Sequence, residues 1–444
     1  MTSTCVFVSQ RFPPDKGGNA ARIHDIAVHL QEGDWDVVVL APPPSYPPGE
    51  FDRSWRPMRT DTDDGVTVHR LWSWQPQVEN PGTARRLAYY LLFGINATIW
   101  LLWNFRSYDA VVTSTPPIST GAPGLLAAAI GTPWVVDVRD LWIDASISLG
   151  YLEAGSLLER VSRRFQRLVL HASDRVAVTT HALGDSLCEN YGEALAAKLV
   201  YVPNGVDVDR FGPGRGIQAP TDVATNRPTD DEKVSTNHTL PAVAGAGGTP
   251  DAKFDGGHPT IVYTGNLGSA QDLESCVRAM SHLSNDTAIL KLVGRGDRES
   301  ELRRLASDCG VEDRVEFSGV VARDAVPGVL REATIGLAPL QDTEELAYAM
   351  PTKVYEYMAA GLPTLVTGRG QIEQFIEESG GGLHADNDPR QIADRLDELL
   401  ADERLRERLA NAGHAFVTGT YDRGEIARRL GSELAELVEA ETAQ

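Results

Sequence analysis

Apolar residues fall along this chain in short runs, separated by stretches with helical spacing. Cys5-Val-Phe-Val-Ser9 is the first run. A loop, Phe12-Pro-Pro-Asp-Lys-Gly-Gly18, follows, and then Ala20–Gln31, where Ile23, Ile26, Ala27 and Leu30 share one helix face. Trp35–Leu40 is the next run, and Ala110–Thr113, Trp134–Val138, Arg175–Thr179 and Lys198–Val202 continue the series. Apolar strands alternating with helices predict a parallel, doubly wound sheet. The pattern stops after Phe211. Residues 212–258 are rich in Gly, Pro, Thr, Asp and Ala without aliphatic periodicity, and read as a linker carrying a polar, disordered insertion. A second series then runs through Thr260–Thr264, Ala288–Val293, Val315–Ser318, Thr334–Ala338 and Pro363–Thr367, ending in a charged helical segment, Pro389–Val438.

The length agrees with that division. A chain of 444 residues exceeds one ordinary core and predicts two domains of about 200 residues each. The boundaries are 1–211 and 259–420, with 421–444 as a terminal helix. Two Rossmann-like α/β halves would hold a ligand in the cleft between them, near the C-terminal ends of both sheets.

Composition narrows the partners. Hydrophobic residues at 42% and charged residues at 23% are ordinary for a soluble globular protein. The net charge of −21 is not, and it argues against a nucleic-acid partner. Only six of the 41 basic residues are lysines, against 62 acidic ones. A salt-adapted protein would show this acid excess; a GC-rich genome would explain the few lysines but not the acids. Cys5, Cys188, Cys276 and Cys309 are scattered, which suggests buried thiols in a reducing cytosol and neither a zinc site nor a disulfide framework. Arg11 and a Pro-rich turn come directly after Ser9, so no signal peptide is expected. The N-x-T sequons at Asn96, Asn237 and Asn285 would then be coincidental.

The most informative stretch is Met350-Pro-Thr-Lys-Val-Tyr-Glu-Tyr-Met-Ala-Ala-Gly-Leu-Pro-Thr-Leu-Val366. It reads as a turn, a helix, a glycine stop and a strand. Lys353 and Glu356, three apart, share a helix face near the N-terminus, where backbone N–H groups and the helix dipole favour anions. The pair could receive a diphosphate and ribose hydroxyls, and it would equally suit a plain solvated ion pair. The segment from Pro351 to Pro363 resembles the P-x-K-x-x-E-Y-M-A-x-G-x-P donor motif of the retaining family 4 glycosyltransferases.

That resemblance covers nearly the whole chain except the insertion, and it implies the GT-B fold, with an acceptor-side first domain, a nucleotide-sugar-binding second domain and a terminal helix crossing back to the first. Lys16-Gly-Gly-Asn19 resembles the family's F-P-P-x-x-G-G loop, so Gly17 and Gly18 would face the cleft; alone it would also suit a plain turn. Ile261-Val-Tyr-Thr-Gly-Asn-Leu-Gly-Ser-Ala-Gln-Asp-Leu273 looks like the G-N-L-G-x-A-Q motif of one branch. Most members have an Arg and a Lys where this chain has Asn266 and Gln271, so the resemblance leaves phosphate to backbone N–H groups at Gly265–Gly268, to those amides, and to Lys353 or Arg295. Val135-Val-Asp-Val-Arg-Asp-Leu-Trp142 is similar to the family's V-x-D-x-R-D-L-W. Arg139 would neutralise an anionic donor or acceptor and Asp140 orient acceptor hydroxyls, or the two would close the strand as a local ion pair. The wider family has an earlier glutamate paired with the position of Glu356; Tyr348 stands there instead. Asp207-Val-Asp209 lies within a P-N-G-V-D-like inter-domain motif and reads as structural. No metal cluster or cofactor is expected.

Leu87–Trp103 is largely apolar, with aromatic residues, between Arg85-Arg86 and Arg106. It falls short of the ~20 residues of a spanning helix, and fits a core helix or one lying in a membrane interface. The expected function is retaining transfer from a nucleotide diphosphate sugar, UDP-linked, to a hydroxyl of a lipid-linked or growing glycan at the cytosolic face of the cell membrane. The alternatives are a silent glycan-binding partner of an active transferase and a nucleotide-sugar epimerase of the same architecture.

Overall fold

A computed structural model describes residues 2–78, 82–148, 150, 152–212 and 258–442. The polar insertion expected within 212–258 lies outside the described residues.

The first lobe alternates strand and helix: β1 (Ser3–Val8), α1 (Gly18–Gln31), β2 (Trp35–Ala41), β3 (Met58–Asp63), β4 (Val66–Leu71), α2 (Thr83–Trp103) and β5 (Ala110–Thr115). It continues with α3 (Gly121–Ala129), β6 (Trp134–Val138), α4 (Trp142–Ser148), α5 (Leu157–Ala172), β7 (Arg175–Val178), α6 (His181–Tyr191) and β8 (Leu199–Tyr201). The eight strands lie in the order β3-β4-β2-β1-β5-β6-β7-β8. All pairs are parallel except β3–β4. That hairpin turns at Asp64 and Gly65, both at positive φ, as a two-residue hairpin loop requires. β3 carries Arg59, Asp61 and Asp63, charges that suit a sheet edge.

The second lobe runs β9 (Thr260–Thr264), α7 (Leu273–Ala279), β10 (Ile289–Val293), α8 (Glu299–Asp308), β11 (Val315–Gly319), α9 (Val326–Arg331) and β12 (Ile335–Ala338). Then come α10 (Thr352–Ala359), β13 (Thr364–Val366), α11 (Gln371–Ser379), β14 (Gly382–His384), α12 (Pro389–Ala401), α13 (Glu403–Thr420) and α14 (Arg423–Thr442). Its six parallel strands are ordered β11-β10-β9-β12-β13-β14, so the order reverses between β9 and β12. In open sheets of this kind a ligand crevice lies at that reversal, beyond the strand ends.

Each sheet is buried on both faces, which is why its strands are near-continuous Val, Ile and Leu. The last helix belongs to the first lobe's core. Ile426, Ala427, Leu430 and Leu434 of α14 pack with Ile23, Ile26 and Leu30 of α1 and with Phe7 of β1. The crossing is fixed at a hinge: Val206 N–H donates to Tyr421 O, and Arg423 N–H to Val206 O. Gly205 has φ +57 there, and a Cβ would lie 2.6 Å from Tyr421 O. Arg210 pairs with Asp207, so the D-V-D spelling serves the hinge.

Candidate active site

Two helix N-termini meet between the lobes. Gly17, at φ +129, caps α1, and Gly18 is so close to α10 that a Cβ on it would lie 3.1 Å from Thr352 Oγ1. The α10 N-terminus carries no side-chain cap, which leaves its first N–H groups as donors toward the cleft.

In the same first turn the Lys353 ammonium lies 4.0 Å from the Tyr263 ring centroid. A Cβ on Gly265, which has φ +135, would lie 3.3 Å from Lys353 Nζ. Burial lowers the Lys353 pKa to about 7, with Glu356 acting against the shift. Burial also pushes the Glu356 carboxyl above its ordinary range; Arg423, Arg323 and Lys353 draw it back, and Asp25 adds to the rise.

The glycine loop of this lobe is held from below. Gly265 N–H donates to Val293 O and Leu267 N–H to Arg295 O. Gly294 permits this contact, since a Cβ there would overlap Gly265 O at 1.8 Å. Two of the four loop amides expected to grip phosphate are therefore already engaged, leaving those of Asn266 and Gly268. The Gln271 amide nitrogen, oriented by its hydrogen-bond network, donates to Asn266 O at 3.0 Å and Gly268 O at 3.3 Å, so that side chain shapes the loop. Asn266 and Arg295 are exposed. A cavity of about 260 Å³ lies on the α7–α8 side of the same loop, lined by Gly268, Ser269, Gln271, Glu274, Arg298 and Gln341, and includes neither Lys353 nor Glu356.

Arg139 and Asp140 follow β6, as the sequence places them. Arg139 does not reach into the cleft: its Nε donates to Thr115 O at 3.2 Å and lies 3.9 Å from Asp137, and Nη1 is buried without a partner. The reason is the carboxylate beneath it, which Arg22 and Ser114 also bind. Burial raises the Asp140 pKa to about 6, with Arg139 opposing, and its Oδ1 is buried without a partner.

Tyr348, which stands where the wider family has a glutamate, reaches from the second lobe into the first, accepting from Leu141 N–H at 2.9 Å, and its own carbonyl accepts from Thr180 Oγ1 at 2.9 Å. Other residues at the cleft were not singled out in the sequence. Asp25 of α1 holds Arg423 and Arg323 together, while His24 lies 3.2 Å away. Burial would raise the Asp25 pKa, but His24, Arg423 and Arg323 hold it well below the carboxylate range. Nothing local announced the contacts of Tyr348, Arg323 and Arg423, whose partners lie 168 to 398 positions away. Asp63 and Asp64 also approach His24, with ligand-type atoms within 4.8 Å of one another. Both aspartates are at the solvent edge, and nothing further points to a metal there.

Two parallel-sheet α/β lobes, with an anion-favouring helix end between them, make the architecture of the GT-B transferases. Two family models match, one per lobe: the glycosyl transferase 4-like domain over residues 17–205 and glycosyl transferases group 1 over residues 250–416. The chain is a glycosyltransferase with the GT-B fold, and each lobe is similar to one of these family models.

Its relatives include WcaI of Escherichia coli (strain K12), a glycosyl transferase named for colanic acid biosynthesis, 25% identical over 82% of this chain and 82% of that protein. The GDP-mannose-dependent alpha-(1-6)-phosphatidylinositol monomannoside mannosyltransferase of Mycobacterium tuberculosis (strain ATCC 25618 / H37Rv) is 27% identical over 64% of this chain and 67% of that one. Among solved structures, sucrose-phosphate synthase from Thermosynechococcus elongatus superposes with TM-score 0.71 at 16% identity, over 99% of this chain and 100% of that chain. Anabaena HepE in complex with UDP and glucose gives 0.65 at 15% identity, over 98% and 100%. These two likenesses establish the fold.

Proposed function

We propose that the protein transfers a sugar, with retention at the anomeric carbon, from a nucleotide diphosphate sugar to a hydroxyl of a lipid-linked or growing glycan. The observation that carries this reading is the placement of Lys353 in the uncapped first turn of α10, next to the Thr352 that meets Gly18, with Glu356 one turn further on. The diphosphate is received by Lys353, the α10 N–H groups and the amides of Asn266 and Gly268; Glu356 accepts from the ribose hydroxyls. Arg295, exposed on the adjoining loop, is the second cation within the donor side.

In the reaction the bond from the anomeric carbon to the donor phosphate breaks, and a bond to the acceptor oxygen forms on the same face. The acceptor proton passes to the departing phosphate, so no strong protein base is required. Lys353 and the helix end stabilise the charge that develops on the diphosphate. Asp140, with its unpartnered oxygen, orients the acceptor hydroxyl. Arg139 supports it electrostatically from within the lobe. This arrangement works without a metal ion, and chelator should leave the rate unchanged.

The donor is taken as UDP-linked. The relatives named for GDP-mannose make that the next donor to test. The acid excess suits work at high salt, and the helix α2 suits a peripheral place at the cytosolic face of the cell membrane, where lipid-linked acceptors lie. Among the described residues no helix is long and apolar enough to cross a membrane.

Purified protein, in high salt, incubated with UDP- and GDP-sugars and membrane extract, should move labelled sugar into the lipid or glycan fraction. Glu356→Ala should raise the donor KM or abolish transfer, and unchanged kinetics would contradict the ribose contact. One observation favours a second reading, the silent glycan-binding partner: Asn266, Gln271 and Tyr348 replace charged residues of the wider family. Donor binding without turnover on any acceptor would select it.

A further inference from the structure

We propose that α5 completes, with α2, a cationic and apolar face by which the first lobe docks on an anionic lipid bilayer. The proposal rests on the membrane reading of α2 and extends it to a second helix and to the charge of the lipid.

The two helices belong to one layer. Phe93 and Leu101 of α2, Ala127 of α3 and Val169 of α5 share a single buried cluster against the sheet. The start of α3 and the turn before it are wedged between the two: a Cβ on Gly94 of α2 would lie 2.7 Å from Ser119 O, and one on Gly121 2.5 Å from a methyl of Val169 of α5. With those faces turned inward, the opposite faces look outward together. On α2 the outer stripe is Leu91 (53% exposed), Ile95 (54%), Ile99 (41%) and Trp103 (81%), spaced a helical turn apart. On α5 it is Leu157 (77%), Val161 (51%) and Leu168 (53%). Isolated exposed apolar residues need no explanation, but two stripes on one helix layer, flanking α3, make an apolar face of the kind that marks an interaction site.

Charge identifies the occupant. In a chain with 62 acids, residues 82–136 contain one, Asp109, and its carboxylate is bonded to Thr4 N–H. The same stretch carries Arg85, Arg86 and Arg106. α5 has four arginines to one acid, and that acid, Glu159, is held by Arg163 at 2.7 Å, as is Asp144 at 2.6 Å. Arg160, Arg164 and Arg167 line the exposed side beside the apolar stripe. An acidic protein that clears acids from one apolar face and lines it with arginine is fitted to a surface that is both negative and oily. An anionic bilayer is such a surface: apolar side chains and tryptophan enter the interface while guanidinium groups stay at the headgroups. A second copy of the chain fits less well, because a two-fold contact on this face would set arginines against arginines.

The test is co-sedimentation of the full-length protein with phosphatidylcholine vesicles, with and without phosphatidylglycerol. Wild type should pellet with the anionic vesicles, weakly with the neutral ones, and less as salt rises. The triple change Leu157→Ser, Val161→Ser, Leu168→Ser and the pair Arg160→Gln, Arg164→Gln should each lower anionic-vesicle affinity at least tenfold. Melting temperature and nucleotide binding should be unchanged in both. Wild-type binding by the α5 variants, with binding lost in Ile95→Ser, Ile99→Ser, would overturn the role of α5 and leave the membrane reading of α2 standing. No binding of wild type to either vesicle would overturn both. Equal binding to neutral vesicles would overturn the charge argument, and dimers in ultracentrifugation that the α5 changes dissolve would assign the face to self-association.

Discussion

The phenolic oxygen of Tyr348, on the second lobe, accepts a hydrogen bond from the Leu141 N–H of the first lobe at 2.9 Å. Burial raises the Tyr348 pKa, and the nearby Asp140 adds to the rise, so the ring stays neutral and keeps its place. Tyr348→Phe leaves the Leu141 amide without this partner, at a net cost of about 1 kcal/mol. If lobe contact is needed to form the donor site, that cost should appear as roughly a fivefold higher donor KM. Melting curves and initial rates measure the two effects. A variant with wild-type kinetics would mean that the bond is absent in the working enzyme.

The Lys353 ammonium has to be present to meet a diphosphate, and burial holds its pKa at about 7. Donor binding should therefore be strongest below that value and weaken as pH rises through it, because binding then requires proton uptake. Calorimetry at pH above 7, in buffers of different ionisation enthalpy, should register uptake approaching one proton per nucleotide. Lys353→Gln should abolish the uptake and cost about 1.5–3 kcal/mol of affinity, the worth of a charge-assisted hydrogen bond. Uptake that persists in the variant would move the titration to another group.

How far the sequence foretold this site depended on the range of the interaction. Lys353 and Glu356 could be placed together from their spacing alone, and the apolar runs of both sheets fell where β1, β2, β5 to β8 and β9 to β13 lie. The β3–β4 hairpin escaped because Met58–Asp63 is an edge strand with little to bury, whose pairing is supplied by the backbone of β4. β14 escaped because three residues make no periodic signal. Arg423 looked like one charge among many in a polar terminal segment. Its burial beside Asp25 arises only when α14 crosses onto α1. Arg139 was read as facing the cleft because its position after β6 is right; the buried Asp137 that turns it inward competes for the same guanidinium.

Asp140 should trade stability for function. Its folded pKa of about 6 exceeds that of an unfolded aspartate, about 3.9. Stabilisation from the bound proton is therefore complete below the unfolded value and is lost as pH rises through about 6. Above that pH the buried carboxylate weighs against the fold, by about 3 kcal/mol. Asp140→Asn should raise the melting temperature at pH 8, leave it nearly unchanged at pH 4, and lower the rate of transfer. A variant less stable at pH 8 would show that the charged form is well paired in solution.

Gly205 should be the most sensitive glycine of the hinge. It sits at φ +57, and a Cβ would come within 2.5 Å of an Ile426 methyl and 2.6 Å of Tyr421 O, both on the segment that carries α14 back. Gly155, at φ +76, has nothing within 4 Å of the same position. The two substitutions separate backbone strain from collision. Gly155→Ala should cost about 1 kcal/mol, the price of left-handed backbone alone. Gly205→Ala adds overpacking and should cost about 2–4 kcal/mol in all. Denaturant titration of both variants gives the difference directly. Equal losses would mean that the hinge yields without moving α14; a larger loss at Gly205, together with a raised donor KM, would tie the seating of the terminal helix to the shape of the cleft.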